Sequence, residues 1–383
     1  MIKRDIAIIK CQLTPVTPIH IGSGEELSSC DYIIKDNYFF RISLEEFFEK
    51  LNSKKKEEFL KLIEKDRFIE IRKFVKDNYN EKFGYIYKSS ISQNIGIKYD
   101  SKIGSAINNN ENNLLSICEF VGNYQGKYIP GSSLKGYIRT AYIANEYKNK
   151  TLNYNIIRKS DLKTAPFMSG KKESEMDKEV CAEALGLNIL EPKFDPFKNI
   201  TITDSNILNS AITIGNFQRA NTKKVDAPLP MGMHEVTKSL FVTGDNIVFN
   251  FNLIIKNFPC TLDKKFKELS ANKDGSITIK ELKEFYIDTS IFEPLREMSK
   301  RVLEDDILFF KKSNNYRCLK TCEKIKEYSK TLKENEVLIK IGKGSGFNSK
   351  TLNLFNKKQK DIHTRVVVDD YPVGWGVLSY IEE

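Results

Sequence analysis

Residues 130–142 constrain this chain more than any other stretch. Pro130-Gly131-Ser132-Ser133 is a turn, and Leu134, Tyr137, Ile138, Ala141 and Tyr142 behind it fall at i, i+3, i+4, i+7 and i+8. A glycine–serine turn therefore opens an amphipathic helix beginning at Ser132. Lys135 and Arg139 lie one turn apart on a different face of that helix, where both can point at one run of phosphates. A second glycine loop, Gly342-Lys343-Gly344-Ser345-Gly346-Phe347-Asn348-Ser349-Lys350, leaves the strand-like run 337–341. Glycine lets backbone N–H groups approach an anion closely, and a helix start or a nest of amides favours negative charge. Two such loops with basic residues beside them suit a ligand carrying many phosphates, and RNA is the first candidate.

The charge balance agrees. Lys and Arg number 61 against 51 Asp and Glu, a net +10 with pI ≈ 9.0, which fits a polyanion partner. A Lys-rich composition alone produces the same figure. At 383 residues the chain exceeds one comfortable core, so two domains or one heavily elaborated domain is expected. Seven cysteines without regular spacing suit a reduced, cytoplasmic protein. No apolar run approaches ~18 residues and no signal-peptide core is visible, so neither a membrane span nor membrane association is expected.

Strand patterns recur along the chain. Residues 6–13 alternate, 31–34 and 38–42 flank the turn Asp36-Asn37, and 200–204, 212–214, 247–253, 337–341, 365–368 and 376–380 have strand character. Residues 19–25 read as a glycine-bent loop, and 218–232, with Pro228 and Pro230, as a second loop. Ser43 with Glu46 three residues on is an N-cap signal, and apolar residues from Leu44 to Val75 continue one face, a charged helical insertion over 43–78. Residues 294–312 are helical, while 108–113 and 149–180 are polar and read as loops. Strands with intervening helices and long insertions define an α+β fold with antiparallel sheets.

Competing chemistries are weak. The second glycine loop lacks G-x-x-x-x-G-K-[ST] spacing and is one residue short of a dinucleotide fingerprint. Residues 270–281 match part of a calcium-loop pattern, but Ser270 stands where the first Asp is needed, so a turn at Asp274-Gly275 is expected instead. Cys318 and Cys322 are four apart on a helical stretch, with no second pair or neighbouring His to complete a zinc site. No cofactor or metal is expected. Of the three histidines, His20, His234 and His363, the first stands beside a glycine loop and is the best candidate for a base acting on a 2′-OH. Structural packing or an RNA hydrogen bond is the competing role.

Several of these segments together resemble the CRISPR-associated RAMP superfamily. They are Thr17-Pro18-Ile19-His20-Ile21-Gly22-Ser23-Gly24-Glu25, then Asp31-Tyr32-Ile33, then Tyr128-Ile129-Pro130-Gly131-Ser132-Ser133-Leu134-Lys135-Gly136. Asp195-Pro196-Phe197 before Thr203-Asp204-Ser205 is similar to the family's central strand, and Ile341-Gly342-Lys343-Gly344-Ser345-Gly346-Phe347 to its C-terminal glycine loop. Asp31-Tyr32, the residues from Gly346 to Thr351 and Pro372-Val373-Gly374-Trp375 resemble more narrowly the branch that supplies the fifth subunit of type III-A Csm effector complexes.

The resemblance implies a ferredoxin-like, RRM-type fold, duplicated or elaborated. Residues 1–195 would form an N-terminal RAMP/RRM-like domain with the helical insertion, and 196–383 a C-terminal one with the glycine loop. It implies a non-catalytic cap on the 3′ end of the guide (CRISPR) RNA, contacts with other Csm complex subunits, and host nucleases recruited to trim the guide. Asp31 stands roughly where the backbone subunit of such complexes carries its target-cutting Asp, but on a shorter and differently built loop, so no cleavage is expected from it. The expected RNA contacts are Ser132, Ser133, Lys135 and Arg139 at the helix start, Gly342, Lys343, Gly344, Ser345 and Gly346 in the second loop, His20, and a basic finger of Arg219, Lys223 and Lys224. Two other classes stay open: a metal-independent endoribonuclease with His20 as base, and an assembly protein whose basic surface meets acidic partners.

Overall fold

Alternating apolar residues and buried helix faces sort this chain into three main sheets and seven helices among the described residues, which are 5–103, 115–148, 181, 196–223, 228–257, 292–346 and 363–381 of a computed structural model. The first half contains β1 (Asp5–Pro15), β2 (Gly22–Leu27), β3 (Tyr32–Lys35), β4 (Tyr38–Arg41), α1 (Leu44–Glu49), α2 (Ser53–Glu64), α3 (Phe68–Asn78), β5 (Tyr87–Ser90), α4 (Gln93–Lys102), β6 (Ile117–Phe120), β7 (Gly122–Asn123), β8 (Gly126–Lys127) and α5 (Gly131–Lys148). The second contains β9 (Ile200–Ile202), β10 (Ile212–Asn221), β11 (Leu229–Thr237), β12 (Phe249–Asn257), α6 (Phe292–Lys312), α7 (Tyr316–Ser329), β13 (Glu336–Lys340), β14 (Thr364–Val368), β15 (Tyr371–Pro372) and β16 (Trp375–Tyr380).

One succession organises the rest. β1, α5, β9, β12, α6 and β16 follow the strand–helix–strand–strand–helix–strand pattern of a ferredoxin-like unit. Their strands lie in the order β16–β1–β12–β9 with every neighbour antiparallel, and β13 extends the edge beyond β16. Leu13, Phe249, Phe251 and Leu253 of this sheet and Leu134, Tyr137 and Ile138 of α5 share one core with Leu295, Met298 and Val302 of α6. The Tyr137 hydroxyl meets that of Ser299 at 2.8 Å, joining the two helices.

The six-stranded sheet, β15–β14–β10–β11–β6–β2, is built wholly from insertions into that unit. β2 and β6 come from between β1 and α5, β10 and β11 from between β9 and β12, and β14 and β15 from between α6 and β16. It contains a parallel pair, β6 with β11, and is not a second copy of the ferredoxin-like order. The fold is therefore α+β and elaborated, and both large sheets take strands from each side of residue 195.

Local signals fare unevenly. The Asp36-Asn37 turn joins β3 and β4 with φ of 53 and 60, the left-handed pair that a two-residue hairpin requires. Ser43 caps α1 by accepting from the Glu46 N–H. The single helical insertion expected over 43–78 is three helices, with Asp66 at φ 51 ending the run before α3. Together with β3 and β4 they form a separate small core around Phe40, Phe47, Phe59 and Phe74. Residues 22–25 are strand rather than loop. The loop expected over 218–232 is mostly hairpin, because β10 and β11 stay paired as far as Arg219 and Leu229 through a register shift at Phe217 and Gln218. The expected loops at 108–113 and 149–180 and the turn at 274–275 lie outside the described residues.

Candidate nucleic-acid interface

Residues 16–21 pass from one large sheet to the other, and almost every polar group along the way is spoken for. The Val16 and Thr17 N–H groups donate to Trp375 O, and the Trp375 N–H returns a bond to the Thr17 hydroxyl. On the other side Ile19 and Thr237 exchange two bonds of 3.0 and 2.9 Å. The second glycine loop closes over this crossing: the Lys343 N–H donates to His20 O at 2.8 Å and the Gly374 N–H to Pro18 O. Gly342 (φ 76) and Gly344 (φ 92) are glycine for a packing reason, since a Cβ would collide with the His20 backbone at the first and with Val373 at the second. Two sequence motifs some 320 residues apart thus meet, and part of the expected amide cradle is turned inward: the Ser345 N–H donates to Gly342 O within the loop.

His20 lies at the centre of the crossing and is 2% exposed. Its Nδ1 faces Glu235 O at 2.7 Å, so Nδ1 carries the proton. Beside its Nε2 stands Gly22, where a side chain would come within 3.0 Å of that nitrogen. Burial lowers the His20 pKa to about 4, with the Lys343 charge adding to the effect. His234 packs edge-on against it at 4.9 Å and accepts from the Lys343 ammonium on Nε2 at 2.5 Å. Burial first, then the Lys343 charge, lowers the His234 pKa to about 3. Both imidazoles are neutral, and no carboxylate among the described residues pairs with the Lys343 ammonium, which lies over the Phe217 ring at 5.7 Å. At 2% exposure, with Nδ1 bonded to Glu235 O, His20 packs within the crossing, which favours a structural role over that of a base for a 2′-OH or of an RNA contact.

Beneath the pair, the fully buried Glu235 carboxylate accepts from the Phe120 N–H at 2.7 Å and from Tyr87, and pairs with Lys127 at 3.0 Å. Lys127 also reaches Glu119 at 2.6 Å. A second buried cluster stands three residues before Lys343. Asp306 accepts from Lys340 at 2.5 Å, Arg365 at 3.1 Å and the Trp375 indole at 3.3 Å, tying α6 to β13, β14 and β16. Cys318 and Cys322 are buried nearby on α7, and Cys318 donates to Asp370 O. Burial pushes both thiols up, consistent with packing.

The first glycine loop is elsewhere and is more occupied than expected. The Gly131 N–H donates to the Asp204 carboxylate at 2.9 Å, so α5 already has an anion at its start. A Cβ on Gly131 would overlap the carbonyls of Ile202 and Thr203, which explains the glycine by close helix–strand packing. Lys135 donates to Ile200 O at 2.7 Å, and Arg139 stands over the Phe197 ring and reaches the Cys181 sulfur. The two cations do share a face, but it is turned onto the chain's own 197–200 segment. Ser132 is exposed and Ser133 half-exposed. Arg219 and Lys223 are exposed on the β10–β11 hairpin, and Lys224 lies outside the described residues. Asp31 is engaged in its own turn, accepting from the Ser28 N–H at 2.7 Å and lying 3.6 Å from Arg41. Sequence reading missed His234, Glu235 and Lys127, which are joined by the long-range pairs His234–Lys343 and Glu235–Lys127, each more than 100 residues apart; the one available signal was the adjacent polar pair His234-Glu235 between Met233 and Val236.

Comparison with known proteins places this arrangement. The RAMP superfamily model matches residues 12–374, and the chain belongs to that superfamily. A curated relative from Methanocaldococcus jannaschii, the "CRISPR system Cms protein Csm5", is 29% identical over 358 residues, covering 92% of this chain and 74% of the relative. A Streptococcus thermophilus protein of the same name is 34% identical over 143 residues, 36% of this chain and 38% of the relative. Among solved structures, a chain of a cryo-EM Csm–crRNA–target RNA ternary complex of a type III-A CRISPR-Cas system aligns with TM-score 0.65 and 17% identity, covering 97% of this chain and 100% of that one. The crystal structure of T. onnurineus Csm5 aligns with TM-score 0.61 and 18% identity over 96% and 99% of the two chains. These last likenesses establish the fold. No helix among the described residues is long and apolar enough to cross a membrane.

Proposed function

We propose that this chain is a subunit of a type III-A Csm effector complex that binds the guide RNA, caps its 3′ end and contacts the neighbouring subunits without cutting RNA itself. The observation that carries the reading is the likeness to an archaeal Csm5 through 92% of the chain. Superfamily membership over residues 12–374 and the fold shared with a chain of a Csm–crRNA–target RNA complex support it. The net charge of +10 agrees with a polyanion ligand. RNA contacts fall to the exposed Arg219 and Lys223 on the hairpin and Ser132 at the start of α5, together with the half-buried Ser133 and Lys343. Enclosure of His20 favours this reading over a metal-independent endoribonuclease, and trimming of the guide then belongs to nucleases recruited from the host.

The test is a gel shift of the purified chain with end-labelled guide RNA in EDTA, the same samples then run under denaturing conditions. Bound and intact RNA is expected. Replacing Arg219 and Lys223 together by Ala lowers the salt slope by about 1.4, at about 0.7 for each lost phosphate contact on a single strand. Shortened RNA overturns the non-catalytic part of the proposal. An affinity and salt slope unchanged by the double substitution removes the hairpin from the interface.

A further inference from the structure

The helical insertion carries a groove that the RNA-binding proposal leaves unused. α2, α3 and the turn at 28–30 surround a cavity of about 530 Å³ whose walls include Leu44, Phe59, Ile63, Phe68, Ile71 and Arg72. Phe68 is 66% exposed at its edge, and Ile63 and Leu60 of α2 are also exposed. Large apolar side chains grouped at a concave surface mark a docking site more often than a random surface does.

Arg72 supplies an independent observation. It is 5% exposed, and its Nε has no hydrogen-bond partner. No ion pair joins it to a carboxylate among the described residues. Asp31, whose charge opposes that of Arg72 on the Cys30 thiol, is already held by the Ser28 N–H and Arg41. A guanidinium taken out of water without an anion is costly, and a carboxylate satisfies its planar fork. The walls are mostly apolar, with Ser28, Ser29, Asp66 and Ser116 at their margin, and one enclosed cation matches one carboxylate better than a run of phosphates.

We propose that this groove docks an apolar segment of a neighbouring protein subunit, with an Asp or Glu of that segment pairing with Arg72 and its apolar side chains covering Phe68 and Ile63. The identity of the neighbour as a Csm subunit rests on the function proposed above.

The experiment places the photo-crosslinker p-benzoylphenylalanine at Phe68 of the full chain, co-expressed with the other Csm subunits and a guide RNA. A control probe replaces Tyr124, which is exposed on the β7–β8 hairpin. The Phe68 probe is expected to label one subunit, at a segment containing a carboxylate identified by mass spectrometry. Ile63→Lys, at an exposed position where folding is not at risk, reduces that product at least tenfold, as does Arg72→Met. Arg72→Glu loses it and regains it when the labelled segment's carboxylate is changed to Lys. Labelling of RNA, no labelling, or labelling indifferent to Ile63→Lys in a complex that retains its guide overturns the docking proposal and leaves the RNA-binding one standing. Failure to form any complex or to hold guide RNA overturns both.

Discussion

Lys340 and Lys343 stand three residues apart and meet opposite partners. Lys340 is buried against the Asp306 carboxylate, with Arg365 and the Trp375 indole on the same group. Lys343 is half-buried and donates to a neutral imidazole. The first lysine is pinned by a counter-charge and closes the packing of α6 on the sheet. The second, at the crossing between sheets, meets no carboxylate among the described residues. Burial with a counter-ion offsets a cation's desolvation, whereas burial beside a neutral base leaves its charge uncompensated.

The largest test of that contrast is Asp306→Ala, which strands two buried cations and is expected to cost about 3–5 kcal/mol in urea unfolding. Lys343→Met, which loses one hydrogen bond at a half-buried site, costs about 1 kcal/mol. Equal losses would break the distinction.

The glycine that opens α5 provides the next comparison. Gly131→Ala forces a methyl group into the Ile202 and Thr203 carbonyls and costs about 2–3 kcal/mol. Gly136→Ala, with open space around it, gains about 1 kcal/mol from helix propensity. A thermal melt of the two variants separates close packing from a role in phosphate binding, because only the first predicts opposite signs.

The histidines sharpen the Lys343 side through pH. Their folded pKa values, about 4 for His20 and about 3 for His234, lie below the ordinary 6.5. The unfolded chain therefore binds protons first as pH falls below 6.5, and stability declines from there towards pH 3–4, each imidazole contributing up to about 2 kcal/mol between pH 7 and 5. Lys343→Met removes a charge that depresses His234, and urea midpoints at pH 7, 6 and 5 should show a shallower decline than in the parent. A parallel decline would mean that burial alone sets the imidazole state.

Asp369 shows the smallest effect and the opposite sign. Burial raises its pKa to about 6 although it accepts from the Asn216 N–H. The cost of its charge is present above pH 6 and fades as pH falls. Asp369→Asn keeps the acceptor and suits the left-handed backbone at φ 47, so it gains about 1 kcal/mol at pH 7.5 and nothing below pH 4 by the same unfolding assay.

Local order was readable because its causes are local. The helix behind Gly131, the Asp36-Asn37 hairpin, the Ser43 cap and the glycine loop after β13 each follow from spacing, φ preference or a short hydrogen bond. Asp306 left a trace of the same kind: it falls 11 positions after Leu295, on the apolar face of α6, where a carboxylate needs a reason. That reason, Lys340, Arg365 and Trp375, is spread over three strands from 34 to 69 residues away and has no sequence signature.

The glycines and cations divide along the same line. Their positions in the chain marked two loops as special, and the resemblance carried by those loops pointed to the RAMP superfamily. Which charges stay available to a ligand was decided by tertiary structure. Lys135 and Arg139 turn onto the 197–200 segment, His20 is enclosed where two sheets cross, and Lys343 meets an uncharged partner. Spacing records which residues can share a face of one element, but burial and counter-charge depend on what another element brings to that face. Here those elements come both from the ferredoxin-like unit itself and from three separate insertions into it.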